Sequence, residues 1–323
     1  MRAIGRTRDL LALPSKADHA AWLKAKRRQL TRLLGGFPER LPLNAEVTRR
    51  EAQDGRIVEW IRYETEPGDV VPAVLLIPTG RTPPAPTILC HHQHAGQYEM
   101  GKSEVVGWVG NPQQAYAAEL CRRGYVVLAP DCIGFEERSH PRLSGPEYER
   151  FLAHELLLQG LTLQGKMIWD VTRAVDFLVS RPEVDPDRIG MIGHSLGACE
   201  TWWSMALEPR VRVGAASCGV TSYRAVLAAE RHHNFGWYVP GILKWGDQSE
   251  VVSMIAPRPF LALAGAGDGG FPIEGAREVM SRAGMLYRRL GASDALELFE
   301  SPRGHEFTDE MRHKAYLWFD KWL

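Results

Sequence analysis

Residues Gly193, His194, Ser195, Leu196 and Gly197 constrain this chain more than any other stretch of it. They read G-x-S-x-G. Arg188 to Ile192, just upstream, reads as a short buried strand, and Ala198 to Leu207, just downstream, as a helix. That setting predicts a nucleophile elbow, a sharp strand-to-helix turn that lifts a serine oxygen to the top of an α/β sheet. Glycines flank the serine because such a turn leaves no room for Cβ atoms and calls for unusual dihedrals. The five letters alone also occur in ordinary glycine-rich loops, so the strand and the helix carry the argument.

The surrounding pattern agrees. Ile57 to Tyr63, Val70 to Ile77 and Thr87 to Cys90 are strand candidates that would form an antiparallel opening. Tyr125 to Ala129 is a continuous apolar strand, and Val213 to Ser217, Phe260 to Ala264 and Leu296 to Phe299 are later strands. Helices over Gln114 to Arg122, Met167 to Leu178, Gly275 to Leu290 and Thr308 to Trp322 interleave with them. This alternation predicts an α/β fold, with a mostly parallel central sheet, helices on both faces and inserted cap-like loops. Residues 1–66, with a helical pattern from Lys16 to Leu34, are expected to form an N-terminal helical extension, a cap or dimer contact. Residues 67–323 form the main domain. Two stretches, 132–163 and 221–251, break the alternation at strand ends, where α/β folds line their ligand crevice.

A serine hydroxyl needs a base to take its proton and a carboxylate to orient that base. After an elbow of this kind the chain order is serine, acid, histidine. Asp268 follows the strand Phe260 to Ala264 in a glycine-rich loop, with Glu274 as the alternative acid. Only His305 and His313 lie beyond Asp268, and His313 falls within the last helix, so His305 is the expected base. An oxyanion hole requires two backbone N–H groups, worth roughly 3 kcal/mol each. One is expected at Leu196, the other at His94, with Gln93 next, in the loop His91 to Gly96. Trp108, Phe135, Glu136, His232, His233, Trp237 and Tyr238 are candidates for the substrate wall. Aromatics with a few polar groups suit a small or medium ligand.

His92 and His94 alternate and so have a rival reading as metal ligands. No H-E-x-x-H and no cysteine pair accompanies them, and neither metal nor cofactor is expected. Equal numbers of acidic and basic residues, 39 each, argue against nucleic acid or an anionic membrane as partner. The basic cluster Lys24, Lys26, Arg27 and Arg28 reads as a solvated helix face. Met1 to Pro14 contains too short an apolar stretch for a signal-peptide core. Five scattered cysteines show no disulfide framework, which fits a cytoplasmic protein. A small-molecule ester and a second copy of the chain are the expected partners.

Five segments now carry a resemblance: CHHQHAGQ from Cys90, APDCIGFEER from Ala129, GKMIWDVTRAVDFLVSRPEVDPDRIGMIGHSLG from Gly165, APRPFLALAGAGDGGFPIEGARE from Ala256 and GHEF from Gly304. From about residue 70 to the end the chain resembles the α/β-hydrolase superfamily, and within it dienelactone-hydrolase-like and acetyl-xylan-esterase-like bacterial enzymes. The resemblance implies serine-dependent hydrolysis of an ester, lactone or similar acyl bond without a cofactor. Peptidase, amidase and C–C hydrolase chemistry use the same triad, and a non-catalytic receptor the same fold. Gln93 and Ala95 stand where such enzymes often carry glycine, which leaves the second oxyanion donor open between His94 and Gln93.

Overall fold

The computed structural model describes residues 13–323. The start of the Met1 to Pro14 segment therefore lies outside the described residues. Among the described residues nine strands form one sheet in the order β1-β2-β3-β5-β4-β6-β7-β8-β9. They are β1 (Glu46–Gln53), β2 (Arg56–Glu66), β3 (Asp69–Pro78), β4 (Ala85–His91), β5 (Val126–Pro130), β6 (Val184–His194), β7 (Val211–Ser217), β8 (Phe260–Gly265) and β9 (Leu296–Ser301). The first three pair antiparallel, and β3 meets β5 antiparallel. All pairs from β5 through β4 to β9 are parallel. The strand expected over Thr87 to Cys90 therefore belongs to the parallel part, not the antiparallel opening.

The helices are α1 (His19–Leu33), α2 (Lys102–Val105), α3 (Tyr116–Arg122), α4 (Gly145–Leu158), α5 (Leu163–Val179), α6 (Leu196–Leu207), α7 (Tyr223–Ala228), α8 (Ile242–Trp245), α9 (Gln248–Ser253), α10 (Ile273–Leu290) and α11 (Asp309–Trp322). One face of the sheet is covered by α1, α5, α6, α9 and α10, the other by α2, α3 and α11. The strands show why this sandwich forms. Along β5, Val126 and Leu128 enter one core while Val127 and Ala129 enter the other. Successive side chains point to opposite faces, so a strand buried on both sides must be apolar throughout.

The extension expected over 1–66 is corrected in part. Its helix is α1, but residues 46–66 are β1 and β2 of the central sheet. β1 escaped notice because EVTRREAQ has no apolar alternation and all eight residues are exposed. Charges along an edge strand discourage pairing with another chain. The basic face of α1 is not uniformly solvated either: Arg27 donates to Ala206 O (2.9 Å), and Lys26 Nζ lies 5.0 Å from the centre of the Trp245 ring.

Both excursions leave the carboxyl ends of parallel strands, β5 and β7. The first contains α4, started by a capping box between Ser144 and Glu147. The second contains α7, α8 and α9. All five cysteines are buried and unbonded. Among the described residues no helix is long and apolar enough to cross a membrane.

Candidate active site

Ser195 sits between β6 and α6 with φ 57° and ψ −112°. A positive φ at a residue with a Cβ costs roughly 1–3 kcal/mol and persists only where the surroundings enforce it. Here the Ser195 N–H donates to Ser217 O (2.8 Å). The flanking glycines are needed for space, not for dihedrals, since neither has a positive φ. A Cβ on Gly193 would collide with the Gly197 backbone, and one on Gly197 with the His91 carbonyl at the end of β4. We therefore expect Gly197→Ala to cost ~1–3 kcal/mol in a denaturant melt, by overpacking. Gly269→Ala, where a Cβ meets nothing within 4 Å, should leave the midpoint unchanged. Leu196 opens α6, so its N–H is one of the helix-terminal donors without an intrahelical partner.

The acid loop and the histidine loop touch. A Cβ on Gly265 would strike the Gly304 carbonyl, so two backbones close to van der Waals distance bring Asp268 and His305 together. His305 Nδ1 donates to Asp268 Oδ2 (2.7 Å). Asp268 Oδ1 accepts from the N–H groups of Gly270 (2.8 Å) and Phe271 (3.0 Å). Burial pushes the Asp268 carboxyl up, but the His305 bond and charge, with these two N–H groups, hold it below its ordinary value. Its side chain is 1% exposed. Glu274, the alternative acid, is exposed on α10, and His313 is exposed on α11. No hydrogen bond joins Ser195 Oγ to His305 among the described residues. The His305 ring does lie 4.8 Å from the ring of His194, the residue before Ser195, and stacks on Phe271 at 5.5 Å.

His194 escaped the sequence reading as a functional candidate. It is buried, with Nδ1 bonded to Ser217 Oγ (3.0 Å), and stacks on Phe307. Burial, and then the charge of His305, lower its pKa to about 3. The unfolded chain takes up this proton near pH 6.5. Neutral burial thus contributes stability that is complete above about 6.5 and declines toward pH 3. The slope per such histidine approaches 1.4 kcal/mol per pH unit, roughly. We expect His194→Asn to flatten the fall in unfolding free energy between pH 7 and pH 5, measured by urea melts. An unchanged slope would contradict this account of His194.

The loop after β4 is held from several sides. His91 pairs with Glu200 of α6, whose other oxygen accepts from Cys132 Sγ (2.7 Å), tying β4, α6 and the end of β5 together beneath the elbow. The rings of His92 and His94, considered as metal ligands, have both nitrogens engaged. His92 Nε2 accepts from Cys132 N–H (3.1 Å) and Nδ1 donates to Gln93 O (2.8 Å). His94 Nε2 donates to Glu149 Oε2 (2.7 Å) and Nδ1 accepts from Gly96 N–H (3.0 Å). Neither belongs to the close His/Cys/acid groupings among the described residues, which are His91–Cys132–Glu200, Cys218–Asp268–His305 and Asp131–Glu136–Glu137. The side chain of Gln93 bonds to Glu104 (3.0 Å).

The candidate wall residues divide. Phe135 packs against His92, His94 and Tyr98 and shares an apolar cluster with Leu196. His233 lies between Trp237 (4.7 Å) and Phe271 (4.4 Å), so it reaches His305 through Phe271. Trp237 is buried against Tyr223, while Tyr238 is exposed and its hydroxyl accepts from the His233 N–H (3.1 Å). His232 is exposed. The Glu136 carboxylate is taken up by the start of α2. It accepts from Gly101 and Ser103 N–H and pairs with Lys102, which anchors the first residues of α2. Trp108 stacks on Trp60 of β2, four strands from β6, about 19 Å at the usual strand spacing. Composition could not make these distinctions, because the partners of Glu136 and Trp108 lie on other elements.

The abhydrolase family model matches residues 10–286. A Bacillus subtilis protein named as a hydrolase, YtaP, is 36% identical over 303 residues, covering 92% of this chain and 99% of its own. A Bacteroides fragilis structure described as an acetyl xylan esterase superposes with TM-score 0.75 at 18% identity, over 98% of this chain and 85% of that one. A glucuronoyl esterase from Solibacter usitatus gives TM-score 0.69 at 16% identity, over 93% of each chain. The nine-stranded, mostly parallel sheet, the elbow between β6 and α6, and these matches together make the chain a member of the abhydrolase family, within the α/β-hydrolase superfamily.

Proposed function

We propose that the chain is a serine-dependent carboxylic ester hydrolase that works through Ser195, His305 and Asp268. The observation that carries this reading is the His305–Asp268 bond, 2.7 Å long, beside the strained elbow that presents Ser195. Because Nδ1 of His305 donates to Asp268, its Nε2 is the nitrogen left to take the serine proton. That contact closes when substrate binds, as catalytic hydrogen bonds often do. Ser195 Oγ attacks the ester carbonyl while its proton moves to His305 Nε2, and the Leu196 N–H and the loop after β4 receive the oxyanion. His305 then protonates the leaving alkoxide, releasing the alcohol. Water, deprotonated by His305, hydrolyses the acyl-serine and restores both groups.

The substrate class is a small or medium ester, an acetylated or sugar-derived ester or a lactone. The likeness to proteins described as acetyl xylan and glucuronoyl esterases supports a carbohydrate ester, and the aromatic wall of Phe135, His233, Trp237 and Tyr238 suits such a ligand. A fluorophosphonate probe should label one site, located at Ser195 by peptide mass. A panel of p-nitrophenyl acetate, acetylated sugars, lactones and matched amides should show turnover of esters far above amides. Labelling elsewhere, or no ester turnover, would overturn the assignment. Tyr238→Ala is expected to change KM or selectivity across that panel more than it changes the melting temperature. Equal kinetics on every substrate would remove Tyr238 from the wall.

A further inference from the structure

Two histidines in the loop after β4 have their tautomers set by backbone partners, and both act on one peptide group. Cys132 N–H can only donate, so His92 Nε2 carries no proton. Gln93 O can only accept, so the proton is on His92 Nδ1. His92 is fully buried, and burial lowers its pKa to about 4, in keeping with that neutral form. Its ring thus pins the Gln93 carbonyl. In a trans peptide the C=O of one residue and the N–H of the next point in opposite directions. With the Gln93 carbonyl drawn toward His92, the His94 N–H faces away from it.

The other end of the same peptide is also held. Gly96 N–H donates to His94 Nδ1, so the proton is on Nε2 and donates to Glu149 Oε2. Glu149 is a junction: Oε2 also accepts from Tyr98 OH (2.5 Å), and Oε1 accepts from Phe235 N–H (2.6 Å) in the second excursion. The loop runs against the elbow. Gly197 abuts the carbonyls of His91 and His92, and Phe135, packed on the His92 and His94 rings, is in the cluster of Leu196.

We infer that His92 and Glu149 are positioning residues that fix the Gln93–His94 peptide so that the His94 N–H completes the oxyanion hole with Leu196. Side-chain clamps here do the work that glycines do in looser oxyanion loops, which is why Gln93 and Ala95 can occupy glycine positions. Glu149 extends the clamp to residue 235, so the segment that lines the substrate wall and the oxyanion donor are set by one carboxylate. The inference rests on the esterase reading above.

The test is a split between ground-state and tetrahedral-state binding. His92→Phe keeps the ring but removes both hydrogen bonds. It should lower kcat for p-nitrophenyl acetate 10- to 100-fold with KM within twofold, a smaller loss than deleting a donor outright. Affinity for an alkyl boronic acid, which forms a tetrahedral adduct on serine, should fall in parallel. His92→Gln, which offers one acceptor and one donor, should recover part of both. Should His92→Phe fail to fold, Glu149→Gln acts on the other end of the peptide through the His94 ring and should show the same split. A kcat within twofold of wild type in the folded variant, or a lower kcat with undiminished boronate affinity, would overturn the inference. Wild-type protein that neither takes the fluorophosphonate nor binds the boronate would instead refute the Ser195 reading on which it rests.

Discussion

Ser195→Ala should reduce kcat for p-nitrophenyl acetate by ~10^4- to 10^6-fold, equivalent to roughly 5–8 kcal/mol of transition-state stabilisation. The loss is large because the variant has no nucleophile for His305 to deprotonate, and only the donors around the oxyanion remain. The fold should survive. Ser195 anchors the elbow through its backbone N–H to Ser217 O, which alanine retains, and its hydroxyl has no hydrogen bond to His305 to lose. Alanine at φ 57° is strained much as serine is, so the melting midpoint should shift little. Steady-state turnover, fluorophosphonate labelling and a thermal melt on the same preparation decide the matter. Retained turnover in a folded, unlabelled variant would sink the mechanism.

Asp268→Asn should cost ~10^3- to 10^4-fold in kcat, and the structure supplies the reason. Oδ1 accepts from two backbone N–H groups, Gly270 and Phe271. In the variant only the amide oxygen can take that position, so the NH2 must face His305 Nδ1. A donor there forces Nδ1 to accept and moves the imidazole proton to Nε2, the nitrogen that must take the serine proton. The variant therefore holds the base in the wrong tautomer with its geometry nearly intact. Glu274 cannot replace the lost carboxylate, being exposed on α10. Stability should fall by only ~1–3 kcal/mol, the scale of a hydrogen bond to a charged group. Activity within tenfold of wild type would remove Asp268 from the orienting role.

The parts of the site that were legible in the chain are those where one backbone event dictates residue type. Gly193 and Gly197 mark the elbow because other backbone passes where their Cβ atoms would be. Asp268 and His305 were legible as candidates because each follows a strand, and the loops that carry them touch at Gly265 and Gly304. Glu149 left no such mark. A glutamate on an amphipathic helix usually means a solvated face, and this one reaches His94, 55 residues earlier, and Phe235, 86 residues later. Burial pushes its carboxyl up, but the bonds from His94, Tyr98 and Phe235 hold it below its ordinary value. Glu136 shows the reverse: it is close in sequence to the end of β5, yet its carboxylate serves Lys102 and Ser103.

The chain alone determined the two-sided, mostly parallel sheet, the strand-to-helix turn at Ser195, and Ser195, Asp268 and His305 as candidates in that order. Those depend on alternation along strands and on close backbone passages, both written in neighbouring residues. Only the tertiary structure decided which excursion residues pack near His305 and Leu196, why Trp108 stacks on β2, why β1 joins the sheet, and how His92, His94 and Glu149 are bonded in the loop after β4. The Glu149 bonds span 55 and 86 residues, and none of these contacts imposes a period on the sequence between its partners.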